Sequence, residues 1–233
     1  MVNLTSEMAQ LWASLGPPQP GRGRVIQFVA ASRGEGTSTI AREFAHYAAG
    51  RTGRPVWLVD LDLRASTQHE AVAAEPSRYG LLGRPAAATP DGSVFFTVQP
   101  PALDGQGRRI PDASYLSAQS AGRSRLWVTR FRREMLRAGQ IPHLRPSAEY
   151  WQALRTHADL VVVDAPAADR SDAALTMAPF MDLTVLVVAA EASDTRGPAA
   201  LRDAIGQAGG RCAGIVFNRA QIEPPKFIRA ILP

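Results

Sequence analysis

Lysine is all but missing from this chain. Lys226 is the single example, so nearly all of the 26 basic residues are arginine. A phosphate site that relies on a compact lysine ammonium would have to recruit a differently shaped cation. Cysteine is equally scarce: the lone Cys212 allows no internal disulfide and, within an apparent strand over 211–217, reads as a small core residue. His46, His69, His143 and His157 show no metal-ligand spacing. No apolar run approaches the roughly 20 residues needed to cross a bilayer. Residues 1–16 lack the basic lead-in and unbroken apolar stretch of a secretory signal, so a cytoplasmic protein is expected. Tyr47, Tyr79, Tyr115 and Tyr150 are scattered, and the last residues contain no tyrosine. A length of 233 residues suits one sizeable α/β domain.

What is present is a glycine loop between a strand and a helix. Residues 30–39 read Ala-Ala-Ser-Arg-Gly-Glu-Gly-Thr-Ser-Thr. A phosphate-binding P-loop has the pattern Gly-x-x-x-x-Gly-Lys-Ser/Thr, in which backbone N–H groups converge on phosphate oxygens. Its lysine reaches the β- and γ-phosphates and its hydroxyl ligates Mg²⁺. Here Gly34 and Gly36 supply the turn, with Glu35 between them and Thr39 after Ser38, the candidate metal hydroxyl. Thr37 stands at the lysine position and Ala31 at the first glycine. The flanks agree. Residues 24–30 form a buried-strand pattern, and Ile40, Ala41, Phe44, Ala45 and Ala48 recur on one helical face.

Two further apolar strands end in acids. One carries Asp60 and Asp62 within Pro-Val-Trp-Leu-Val-Asp-Leu-Asp-Leu-Arg at 55–64; the other, Leu-Val-Val-Val-Asp at 160–164, ends in Asp164. Strands this uniformly apolar suit the centre of a parallel sheet covered on both faces. Ligands of such sheets bind at the carboxyl ends, where the loop and these acids would gather.

These motifs, with Arg-Ser-Asp-Ala-Ala-Leu at 170–175, Asp-Leu-Thr-Val-Leu-Val-Val at 182–188 and Gly-Ile-Val-Phe-Asn-Arg at 214–219, make the chain resemble the bacterial tyrosine autokinases of polysaccharide export. That family lies within the deviant P-loop ATPases that include MinD and ParA. The likeness covers residues 25–70 and 150–220. It implies an α/β fold with a mostly parallel central sheet and helices on both faces, a P-loop NTPase-like three-layer sandwich. The implied catalytic residues are Asp60 and Asp62. Mg²⁺ would be held by Ser38, Asp60 and Asp164, and ATP or ADP by residues 34–39 with Asn218 and Arg219 facing the adenine. The implied partner is an inner-membrane polysaccharide co-polymerase, reached through its cytoplasmic tail, which would keep this chain at the inner-membrane face.

The departures from the family define the expected function. Loss of a charge-assisted phosphate contact removes about 1.5–3 kcal/mol of binding. In related enzymes one such cation changes turnover by about 10³–10⁵. Arg33 is the only basic residue inside the loop. The chain therefore reads as a kinase-derived pseudoenzyme that binds Mg²⁺-nucleotide weakly and regulates by docking. The alternatives are an active ATP-dependent autokinase using Arg33, and a ParA- or MinD-like positioning ATPase.

The expected organisation is an N-terminal helix over 1–16, a connector at 17–24, the ATPase-like domain over 25–220 with 65–146 variable and partly irregular, and a tail over 221–233. In the first helix, Met8, Leu11, Trp12 and Leu15 form an apolar stripe capped by Thr5 or Ser6. Either it docks on its own domain or it faces a partner. Only Glu7 remains of the family's Glu-x-x-Arg-x-x-Arg ring motif, with Gln10 and Ala13 in the arginine places, so a homo-oligomer would not use that route. Arg123, Arg125, Arg130, Arg132, Arg133 and Arg137 oppose only Glu134, an excess equal to the net charge of +5. This patch, on a strand over 126–131 leading into a helix, is either a solvated face or a surface for an acidic partner, a membrane leaflet or nucleic acid. With aromatic residues sparse around it, nucleic acid is the least favoured.

Overall fold

The computed structural model describes residues 3–19, 21–191 and 195–219; the tail expected over 221–233 lies outside them. The chain begins with α1 (Thr5–Leu15), β1 (Arg24–Val29), α2 (Thr37–Ala49) and β2 (Val56–Asp60). It continues through α3 (Thr67–Ala74), α4 (Pro76–Tyr79), β3 (Ala86–Ala87), β4 (Phe96–Gln99), β5 (Leu116–Ser120), β6 (Leu126–Phe131) and β7 (Ile141–Leu144). The last part holds α5 (Ala148–His157), β8 (Leu160–Asp164), α6 (Ala173–Met177), β9 (Leu183–Ala189), α7 (Arg196–Gln207) and β10 (Cys212–Asn218).

The main sheet is eight-stranded in the order β10-β9-β1-β8-β2-β6-β5-β3. Neighbours from β10 to β6 are parallel, while β5 and β3 extend the edge antiparallel. β2 and β8 are buried at every residue, as strands covered on both faces should be. Side chains alternate between two cores. Ile26, Phe28, Leu58 and Val162 pack beneath α1 and α2, whereas Val25, Val59, Val161 and Val163 pack against α5, α6 and α7. The expected three-layer α/β fold, with helices on both faces, is the one observed.

The register places the chemistry. Asp60 and Asp164 are direct partners on adjacent β2 and β8, and Phe28 of β1 pairs with the same Asp164. The loop leaving β1 thus opens above both acids, at the point where the chain departs to either side of β1.

α1 lies on its own domain. Met8 is buried, Leu11, Trp12 and Leu15 pack against the α2-side core, and Trp12 meets Phe44 at 6.1 Å between ring centres. Its terminal carbonyls do not go unpaired, because Arg24 donates to Leu15 O (2.7 Å) and Gly16 O (3.2 Å). The cap differs from expectation: Leu4 occupies the N-cap position without a side-chain cap bond, and Asn3 Oδ1, two residues before Thr5, accepts the Thr5 N–H at 3.0 Å.

Residues 65–146 are more ordered than their proline and glycine content implied. They supply β5 and β6 to the main sheet, and β4 pairs antiparallel with β7 in a separate ribbon. The expected helix after 126–131 is only a 3₁₀ turn, Arg133–Met135, because the chain must turn back toward β7. Cys212 packs against the core but is only partly buried, because among the described residues β10 is the outermost strand of the sheet. Three arginines of the patch have partners of their own. Arg130 pairs with Glu134, Arg132 donates to Ser114 O, and Arg133 binds Arg64 O (2.7 Å) and Glu70 (3.2 Å). Arg125 directly precedes β6, and Arg137 follows the 3₁₀ turn that leaves it.

Candidate functional site

The loop between β1 and α2 is shaped by two left-handed glycines, Gly34 (φ 90°) and Gly36 (φ 89°), a conformation that a Cβ makes costly. Gly36 is also crowded, since a Cβ there would come within 2.0 Å of Asn218 Nδ2. Among the described residues, no acceptor meets the backbone N–H groups of 34–38; the ladder of α2 begins with Thr39 and Ile40 donating to Gly36 O at 3.0 and 3.1 Å. These unpaired donors at the start of a helix form an anion cradle. Thr37 sits within it with its side chain nearly buried.

The cradle is held from outside. Glu35 turns its carboxylate inward, accepting the Ser32 N–H (3.2 Å) and the Ala189 N–H of β9 (3.3 Å). It contributes its amide to the site and not its side chain. Asn218 Nδ2 donates to Glu35 O (2.8 Å), and Arg219, itself left-handed, donates to Gly34 O (3.0 Å). Both residues therefore buttress the loop, and neither lines the cleft below.

That cleft, about 250 Å³, is floored by Asp60 and Asp164 and rimmed by Arg33, Thr37, Ser38, Asp62, Thr67 and Arg170. Asp60 accepts the N–H groups of Asp62 (2.9 Å) and Gln68 (3.2 Å). Burial, and then the neighbouring Asp164 carboxylate, push Asp60 well above the ordinary carboxylate range. Burial raises Asp164 as well, opposed by hydrogen bonds from Gln68 and Ser38. Gln68 is fully buried and donates from Nε2 to Asp164 (2.6 Å) and Ser38 O (2.8 Å), while Arg42 holds its Oε1 at 3.0 Å.

Asp164 Oδ1 is buried with no partner. Two adjoining acids and an orphaned carboxylate oxygen fit a divalent cation entering with phosphate. Among the described residues there is no group of three His, Cys, Asp or Glu side chains able to cage a metal alone. That too fits Mg²⁺, which takes one or two carboxylates and relies on phosphate and water for the rest. Ser38, Asp60 and Asp164 are the residues that would hold it.

All the predicted loop residues and acids thus converge. Sequence reasoning missed Gln68, Arg42 and Arg170. Gln68 lay near the Asp-Leu-Asp-Leu-Arg motif without a recognisable pattern, and Arg170 was read only as part of a family-like run. Arg33 is exposed at the rim, its N–H fixed by Asp169 (3.0 Å). It is not the only cation at the cleft.

No family model and no curated protein matches the chain in sequence. Its likeness to known proteins lies in the fold. The chimerical protein CapA2B2 is similar with a TM-score of 0.62 at 19% identity, over 94% of this chain and 86% of that one. The kinase domain of the Escherichia coli tyrosine kinase ETK is similar with a TM-score of 0.53 at 14% identity, over 93% and 75%. The septum site-determining protein MinD from Pyrococcus horikoshii, complexed with Mg-ADP, gives 0.53 at 15%, over 90% and 77%. The fold is that of bacterial tyrosine kinase domains and MinD-type P-loop ATPases.

Proposed function

We propose that this chain is a kinase-derived P-loop protein that binds Mg²⁺-nucleotide weakly, does not phosphorylate itself, and regulates bacterial exopolysaccharide synthesis and export by docking. Its partner is the cytoplasmic tail of an inner-membrane chain-length co-polymerase, which places it at the inner-membrane face. The observation that carries this reading is Thr37 seated in a complete amide cradle above intact acids. The pocket keeps the parts that recognise a nucleotide phosphate and Mg²⁺. It has lost the ammonium that stabilises a transferring phosphoryl group, on which turnover depends far more steeply than binding does. Docking needs the shape of the fold and not that charge. The autokinase-like runs at 34–39, 60–64 and 170–175 support the kinase branch over a positioning ATPase.

In the bound complex Mg²⁺ would supply charge neutralisation between phosphate oxygens. The chain's own contribution is orientation: residues 34–38 aim their amides at one phosphate, and Gln68 steadies Asp164. Titration with fluorescent ATP and ADP, with and without Mg²⁺, tests the reading alongside an autophosphorylation assay. Wild-type protein should bind weakly and incorporate no phosphate, and Thr37→Lys should tighten ATP by about 10- to 100-fold. Brisk Mg²⁺-dependent hydrolysis by the wild type, abolished by Asp60→Ala, would instead establish an active ATPase.

A further inference from the structure

The cleft is not without a cation, but the cation arrives from a different part of the chain. The segment after β8 is laid directly on the phosphate loop. Ala168 N–H donates to Ala30 O (3.0 Å), Asp169 N–H to Ala31 O (3.1 Å), and Asp169 Oδ2 accepts the Arg33 N–H (3.0 Å). This stitching fixes the Arg170 backbone beside the 250 Å³ cleft, which Arg170 lines together with Thr37 and Ser38. Its guanidinium is half exposed, and its ion pair is a loose contact with Asp62 at 3.7 Å, too long for a hydrogen bond. Asp62 Oδ1 is meanwhile occupied by the Arg64 and Ala65 N–H groups at 3.2 and 3.0 Å. Arg170 is thus tethered at its backbone and lightly held at its tip.

From this geometry we infer that Arg170 is the phosphate-binding cation of the site, replacing the absent lysine from outside the loop. The inference rests on the nucleotide-binding reading above and names the residue that reading lacked. The ligand class is a nucleoside triphosphate, whose terminal phosphate draws the guanidinium away from Asp62. Arg33 lines the same cleft, but of the two it is Arg170 whose guanidinium is ion-paired to a rim acid, Asp62. An arginine fork spans more room than an ammonium, and a cradle with a small threonine at position 37 leaves that room. Delivered from the segment after β8 and not from the loop, the fork can bind the triphosphate without reproducing the lysine's catalytic placement.

The test is calorimetric titration of MgATP, MgADP and inorganic tripolyphosphate into wild type, Arg170→Ala, Arg170→Lys, Arg33→Ala and Thr37→Lys. Arg170→Ala should weaken MgATP and tripolyphosphate by about 10- to 100-fold and MgADP by less, with an unchanged unfolding midpoint. Arg170→Lys should retain part of the affinity. Equal MgATP binding by wild type and Arg170→Ala, or a loss confined to Arg33→Ala, overturns the inference while the nucleotide-site reading stands. Absence of binding even by Thr37→Lys removes both.

Discussion

Replacing Gly36 by alanine probes whether the loop is held as tightly as its contacts imply. Two costs can be separated. A left-handed φ of 89° penalises any L-residue with a Cβ, by about 1–2 kcal/mol. The new methyl would also lie 2.0 Å from Asn218 Nδ2, so the amide must swing away and give up its 2.8 Å bond to Glu35 O. A lost hydrogen bond of this kind costs about 0.5–1.5 kcal/mol. Gly36→Ala should therefore destabilise by about 1.5–3.5 kcal/mol. In an Asn218→Ala background the bond has already gone and only the backbone cost remains. The two substitutions should then couple by about 0.5–1.5 kcal/mol in a double-mutant cycle measured by urea unfolding. Strict additivity, or a Gly36→Ala cost below about 0.5 kcal/mol, would refute the idea that Asn218 latches the loop.

Asp164→Asn keeps the acceptor for Gln68 and turns an amide toward the partnerless oxygen's place. A carboxylate whose folded pKa is raised destabilises the fold once pH climbs above its ordinary value of about 4, increasingly so through its raised value. The metal-free variant should thus melt higher than wild type at pH 8, with the gain shrinking toward pH 4 in differential scanning calorimetry. A lower melting temperature at pH 8 would contradict a desolvated, uncompensated acid. Met8→Ala tests the docking of α1. With Met8 only 2% exposed, the truncation should cost about 2–5 kcal/mol by urea unfolding, whereas a partner-facing helix would lose almost nothing.

The sequence made the framework readable wherever function is written in consecutive residues. The apolar runs ending at Asp60 and Asp164 announced central parallel strands, because burial on both faces removes the polar alternation that an exposed face would show. The 3.6-residue recurrence from Ile40 to Ala48 marked α2, and all of its apolar positions are buried. Residues 65–146 were harder, since short strands such as Ala86–Ala87 and Ile141–Leu144 are defined by their partners and not by their own patterns. Cys212 misled for a related reason: an edge strand and a central strand can share the same local composition.

By itself, then, the chain's order of residues determined the sheet's core, the glycine turn, the acids at the strand ends and the threonine at position 37. These are properties of backbone conformation and burial, which neighbouring residues dictate. Only the folded molecule decided that Gln68 shields Asp164, that Asn218 and Arg219 brace the loop and that Arg170 reaches the cleft. Each of these depends on loops from distant segments meeting at a common edge, and hydrogen bonds across such meetings follow the packing of the sheet, on which the spacing of letters is silent.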